Sequence, residues 1–129
     1  MNDGDPVDRA PASIGPYSHA IRAGDLLFVS GQIPLDPATG QLVSAEVSAQ
    51  TERVLKNLRA VLAAEGASLA DVVRTTIYVT DLAHFGVINE IYGRYFRVPY
   101  PARATVQVSG LPRGALVEID AVAFMRDRR

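Results

Sequence analysis

Only two stretches of this chain repeat their apolar residues at helical spacing, and that pairing limits the folds open to it. After Ser44, the residues Val47, Val54, Leu55, Leu58, Val61 and Leu62 recur at helical steps. Glu52, Arg53, Lys56 and Arg59 fall between them, and Gly66 is placed to stop the helix. Asp81 is a natural N-cap for a second helix through Phe96, with Leu82, Phe85, Ile88, Tyr92 and Phe96 along one stripe, before Pro99 and Pro101 end it. Runs 17–22 and 26–30 read as strands joined by a three-residue turn, Ala23-Gly24-Asp25. Residues 72–80 are β-branched almost throughout, and 103–108 and 115–125 are strands joined by Ser-Gly-Leu-Pro-Arg-Gly. The order β-β-α-β-α-β-β describes one α+β domain over residues 1–129, a mixed sheet whose single face two helices can cover. The other face must stay wet or meet further subunits. An apolar content of 48% in 129 residues favours subunits.

Charge and composition exclude several function classes. A net charge of −1 gives no overall field to gather nucleic acid or an anionic membrane, and no stretch has the length of a spanning helix. The start, Met-Asn-Asp-Gly-Asp-Pro, is acidic and polar, so the cytosol is the expected compartment. With no cysteine, disulfides, thiolate metal sites and cysteine nucleophiles drop out together. His19 and His84 lie too far apart in sequence for a helical zinc pair, so no metal is expected. Lys56 is the only lysine and sits on the polar side of a helix, which argues against a Schiff base and hence pyridoxal phosphate. Carboxylates, arginines, hydroxyls and water remain, with no cofactor. Arg126, Arg128 and Arg129 read as a small solvated basic tail, and residues 1–16, with three prolines, as an irregular arm.

The most informative stretch is Pro101 to Asp120. In a strand, Arg103, Thr105 and Gln107 share one face, and on the following strand Leu116, Glu118 and Asp120 share another. If the intervening loop closes an antiparallel hairpin, Thr105 stands opposite Glu118 and Arg103 near Asp120, with both polar rows on the same side. On pattern alone, this arrangement is equally an exposed cross-strand ion pair of little energetic weight.

Four segments resemble the YjgF/Rid family of reactive-intermediate deaminases: Gly15-Pro16-Tyr17-Ser18; Val29-Ser30-Gly31-Gln32-Ile33-Pro34; Asn89-Glu90-Ile91-Tyr92; and Pro101-Ala102-Arg103 through Leu111-Pro112-Arg113-Gly114 to Val117-Glu118-Ile119-Asp120. They stand in the family's order and span nearly the whole chain. The resemblance implies a chorismate-mutase-like α+β fold, a homotrimer and ligand pockets between subunits. It also implies hydrolysis of 2-imino acids, or of the enamines that tautomerise to them, to 2-keto acids and ammonia. The family's carboxylate-binding arginine corresponds to Arg103 and its water-positioning glutamate to Glu118, with Tyr17, Ser30, Gly31 and Asn89 as further pocket residues. Thr105 stands where many imine-hydrolysing members carry cysteine. A hydroxyl still hydrogen-bonds a ligand, and hydrolysis by water needs no thiolate.

Such a reaction suits a sparse site. A protonated imine is strongly electrophilic, so the protein need only orient substrate, place water and move a proton. Arginine grips a carboxylate through two parallel bonds, fixing rotation as well as position. A binding module that senses 2-keto acids without turnover would use the same residues. Nuclease chemistry is disfavoured by the lack of a basic stripe, of a stacking platform and of a histidine pair.

Overall fold

The computed structural model describes residues 9–125, so the beginning of the irregular arm and the Arg126, Arg128 and Arg129 tail lie outside the described residues. Five strands and two helices follow the expected order. They are β1 (Ala20–Ala23), β2 (Leu26–Gln32), α1 (Val47–Ala64), β3 (Val72–Val79), α2 (Phe85–Tyr95), β4 (Ala102–Gln107) and β5 (Val117–Phe124). They form one sheet in the order β1-β2-β5-β3-β4. β3 and β4 are parallel, and the other neighbours are antiparallel.

Local chemistry explains most boundaries. Ala23 pairs with Leu26, so the first turn holds two residues rather than three, and Gly24 supplies the positive φ of 62° that a tight hairpin requires. Gly66, at φ 81°, ends α1 as its position suggests. The Asp81 side chain accepts from the backbone N–H of Ala83 at 2.9 Å, but it caps a short 3-10 turn, Leu82–His84, which feeds α2. Leu82 and Phe85 are therefore exposed, while Ile88, Tyr92 and Phe96 of the same stripe are buried.

The core lies between the helices and one face of the sheet. Val54, Leu55, Leu58 and Leu62 of α1 meet Leu27 and Val29 of β2, Ile77 and Val79 of β3, and Val117 and Ile119 of β5. Asn57, fully buried, donates to the carbonyls of Ile33 and Leu35 at 3.1 Å each, which ties the loop after β2 to α1. The opposite face carries Ile21, Leu26, Phe28, Val106 and Phe124, each at least 38% exposed.

The expected hairpin between β4 and β5 is not formed. β4 follows a β3-α2-β4 crossover, which demands a parallel neighbour, and it pairs with β3 at the sheet edge. The loop after it carries the chain back across β3, and β5 enters between β2 and β3. That central place suits β5, whose Val117, Ile119, Ala121 and Ala123 are buried in unbroken alternation.

Candidate functional site

Arg103 projects from β4 toward α2. Its Cα partner on β3 is Thr75, and paired residues share a face of the sheet. Thr75 is buried and its hydroxyl shares a 2.7 Å hydrogen bond with that of Tyr92 on α2. The Arg103 guanidinium carbon lies 4.9 Å from the centre of the Tyr92 ring and 5.5 Å from that of Phe85, within cation–π range of both. Burial raises the Tyr92 hydroxyl pKa against the opposing pulls of Thr75 and Arg103, so the hydroxyl stays neutral. Among the described residues no carboxylate pairs with Arg103. It opens instead on a cleft of 740 Å³ whose walls include Asn89, Tyr92, Tyr100 and Pro101. Thr105 and Asn89 adjoin it in a narrower crevice with Phe85 and Ile88.

Glu118 occupies a different neighbourhood. Its Cα partner is Tyr78, which points away from the helices and donates to Asp120 at 2.9 Å. The Glu118 carboxylate packs on Gly31, where a Cβ would fall 2.7 Å from its Cδ, so only glycine leaves the carboxylate where it is. Half-burial, and secondarily the charge of Asp120, raises its pKa above the ordinary glutamate value. Gly31 shares a shallow concavity with Tyr17 and His19. Tyr17 is largely exposed, its oxygen accepting only a long 3.4 Å bond from the Ile14 N–H. The Ser30 hydroxyl donates to the Ser18 carbonyl at 2.6 Å, pinning the chain just before β1 beside the concavity.

The seven sequence-predicted residues thus fall into two groups. Arg103, Thr105 and Asn89 gather beside α2; Tyr17, Ser30, Gly31 and Glu118 gather around β2 and β5. Within one chain the groups are on opposite faces of the sheet. Thr75 and Tyr78, the ladder partners of Arg103 and Glu118, differ by an odd number of residues along β3 and so point oppositely. The shared polar face expected of the two strands is therefore corrected, because β3 lies between them.

Sequence reasoning missed the roles of Phe85 and Tyr92, reading them only as members of a core stripe. Their seven-residue spacing puts them on one side of α2, but nothing local says that β4 lies beside it. The His19 ring also has a place that its isolation in sequence does not suggest. Its Nε2 donates to the Pro11 carbonyl at 2.5 Å, and Gln32, which also donates to the Ser30 carbonyl, meets its Nδ1. His19 therefore links the irregular arm to β2. Among the described residues no three His, Asp or Glu side chains gather as a metal site, and no helix is long and apolar enough to cross a membrane.

Comparison with known proteins places this geometry in context. The family described as Endoribonuclease L-PSP matches residues 7–125. Protein DfrA of Myxococcus xanthus is 61% identical over 118 residues, covering 90% of each chain. The 2-iminobutanoate/2-iminopropanoate deaminase of Mus musculus is 48% identical over 115 residues, or 89% of this chain and 85% of the relative. Among solved structures, E. coli TdcF with bound serine superposes with a TM-score of 0.87 at 40% identity, covering 92% of this chain and 95% of the other. With a match over nearly its full length, and with the mixed sheet and paired helices of those structures, the chain belongs to the Endoribonuclease L-PSP family, the YjgF/Rid family.

Proposed function

We propose that the protein hydrolyses small 2-imino acids, or the enamines that tautomerise to them, to 2-keto acids and ammonia. The reading rests chiefly on Arg103, a guanidinium held between two rings, unpaired among the described residues and open to a cleft. An unpaired, preoriented arginine is suited to a small carboxylate. The deaminase name of the mouse relative and the serine bound to TdcF, an amino acid with a carboxylate of its own, support the same class of ligand.

In the reaction, Arg103 grips the substrate carboxylate while Thr105 and Asn89 offer hydrogen bonds beside it. Glu118 accepts a proton as water adds to the carbon of the N-protonated imine, giving a carbinolamine. Glu118 returns that proton to the nitrogen; the C–N bond then breaks as the carbinolamine hydroxyl gives its proton to Glu118, so ammonia leaves and the water oxygen becomes the keto oxygen. A pKa raised above the ordinary glutamate value suits Glu118 to take a proton and give it back. No cofactor enters.

Because Arg103 and Glu118 sit on opposite faces of one sheet, a site that uses both is completed by a second copy. The apolar side chains of Ile21, Phe28 and Phe124 on the face away from the helices support such association, and a homotrimer is the assembly proposed. The direct test adds the protein to threonine dehydratase and threonine and follows 2-ketobutyrate release while semicarbazide traps residual imine. Faster release with less trapped imine is expected; the buffer rate from folded, assembled protein overturns the reading. In the same assay Glu118→Ala lowers turnover more than it lowers keto-acid binding, whereas Arg103→Ala lowers both.

A further inference from the structure

A second cleft, of 470 Å³, lies between α1 and the end of α2, lined by Glu52, Lys56, Arg59, Leu69, Arg94, Tyr95 and Arg97. Of these, only Arg94 also lines the Arg103 cleft. Four cations meet one carboxylate here, in a chain whose net charge is −1. That carboxylate is already engaged. Glu52 accepts a short hydrogen bond from the Tyr95 hydroxyl, and it pairs with Arg94 at 3.5 Å.

Among the described residues, Lys56, Arg59 and Arg97 have no acidic partner. Lys56 and Arg59 stand three apart on one side of α1, and Arg94 near the end of α2 and Arg97 just beyond it line the same cleft. Arg59 rests on the Tyr95 ring, 5.6 Å from its centre, which holds the guanidinium at the cleft wall. Burial, reinforced by Glu52, pushes the Tyr95 hydroxyl pKa up to about 12, so the ring adds no negative charge.

We propose that this cleft binds a small phosphoryl polyanion, such as a pyrophosphate or a phosphate ester with two or more negative charges. Three unpaired cations balance such a charge, and two of them are arginines, whose planar forks match phosphate oxygens. The volume falls within the range of small-molecule sites, about 300–1,000 Å³. The site is separate from imine chemistry, so each proposal fails on its own evidence.

The test titrates the full-length protein with inorganic tripolyphosphate, and in a second arm with a nucleoside triphosphate, at low and raised salt. Saturable binding that weakens as salt screens the cations is expected. The double variant Arg59→Gln, Arg97→Gln should lose about tenfold in affinity or more, while keeping its circular dichroism and its rate of imine hydrolysis. Lys56→Gln, a milder change, should weaken binding in the same direction. Absence of saturable binding by the wild type, or equal binding by the double variant, overturns the proposal. So does a single-stranded RNA that binds far more tightly than tripolyphosphate and is lost in the same variant, since the cleft would then serve a nucleic acid.

Discussion

Arg103 and Glu118 are suited to the roles proposed for them by different means. The arginine keeps its charge free because its neighbours are rings and hydroxyls rather than carboxylates. The Tyr92 ring beneath it is fixed by the buried bond to Thr75. Tyr92→Phe therefore keeps the ring but strands the Thr75 hydroxyl in the core. Chemical denaturation should register a loss of about 1–3 kcal/mol, with keto-acid affinity changed far less. Glu118 is tuned by half-burial and by Asp120. With its folded pKa raised, the carboxyl protonates at a higher pH than a free glutamate would. The ionised, water-accepting form is thus lost early on acidification, and the acid limb of the pH–rate profile should sit above the ordinary glutamate range. Asp120→Asn, which removes the like charge, should move that limb downward; an unmoved limb would detach it from Glu118.

Among the elements, β5 and β4 show how position in the sheet changes what a strand contributes. β5 is central, and its Ile119 is fully buried between the β2 and β3 rows. Ile119→Ala should cost about 2–5 kcal/mol in urea unfolding. Val106 of β4 lies at the edge and is 40% exposed, and Val106→Ala should leave the stability of the single chain within roughly 0.5 kcal/mol. Both strands were legible as strands, since each has the right residues and period. Their pairing was not. Two strands in sequence joined by a short loop with Gly and Pro resemble a hairpin, and only the β3-α2-β4 crossover makes β4 a parallel edge strand.

For the whole molecule, the opposed directions of Arg103 and Glu118 carry the strongest prediction. If the site is shared between copies, Arg103→Ala and Glu118→Ala variants, each inactive alone, should recover activity when unfolded together and refolded as a mixture. Random assembly would restore about a quarter of the sites, each taking its arginine from one copy and its glutamate from another. No recovery in mixed assemblies would exclude a shared site. Sequence by itself determined the element types, the two-helix limit, the family and the identities of the residues offered for chemistry, because side-chain period and short motifs are local properties of the chain. Tertiary structure alone decided which strand stands between β4 and β5, that Arg103 meets Phe85 and Tyr92, that Glu118 packs on Gly31, and that Lys56 and Arg59 of α1 share one cleft with Arg94 of α2 and Arg97 just beyond it. Each of these is a contact between residues far apart along the chain, set by how buried faces satisfy one another, and no local pattern encodes it.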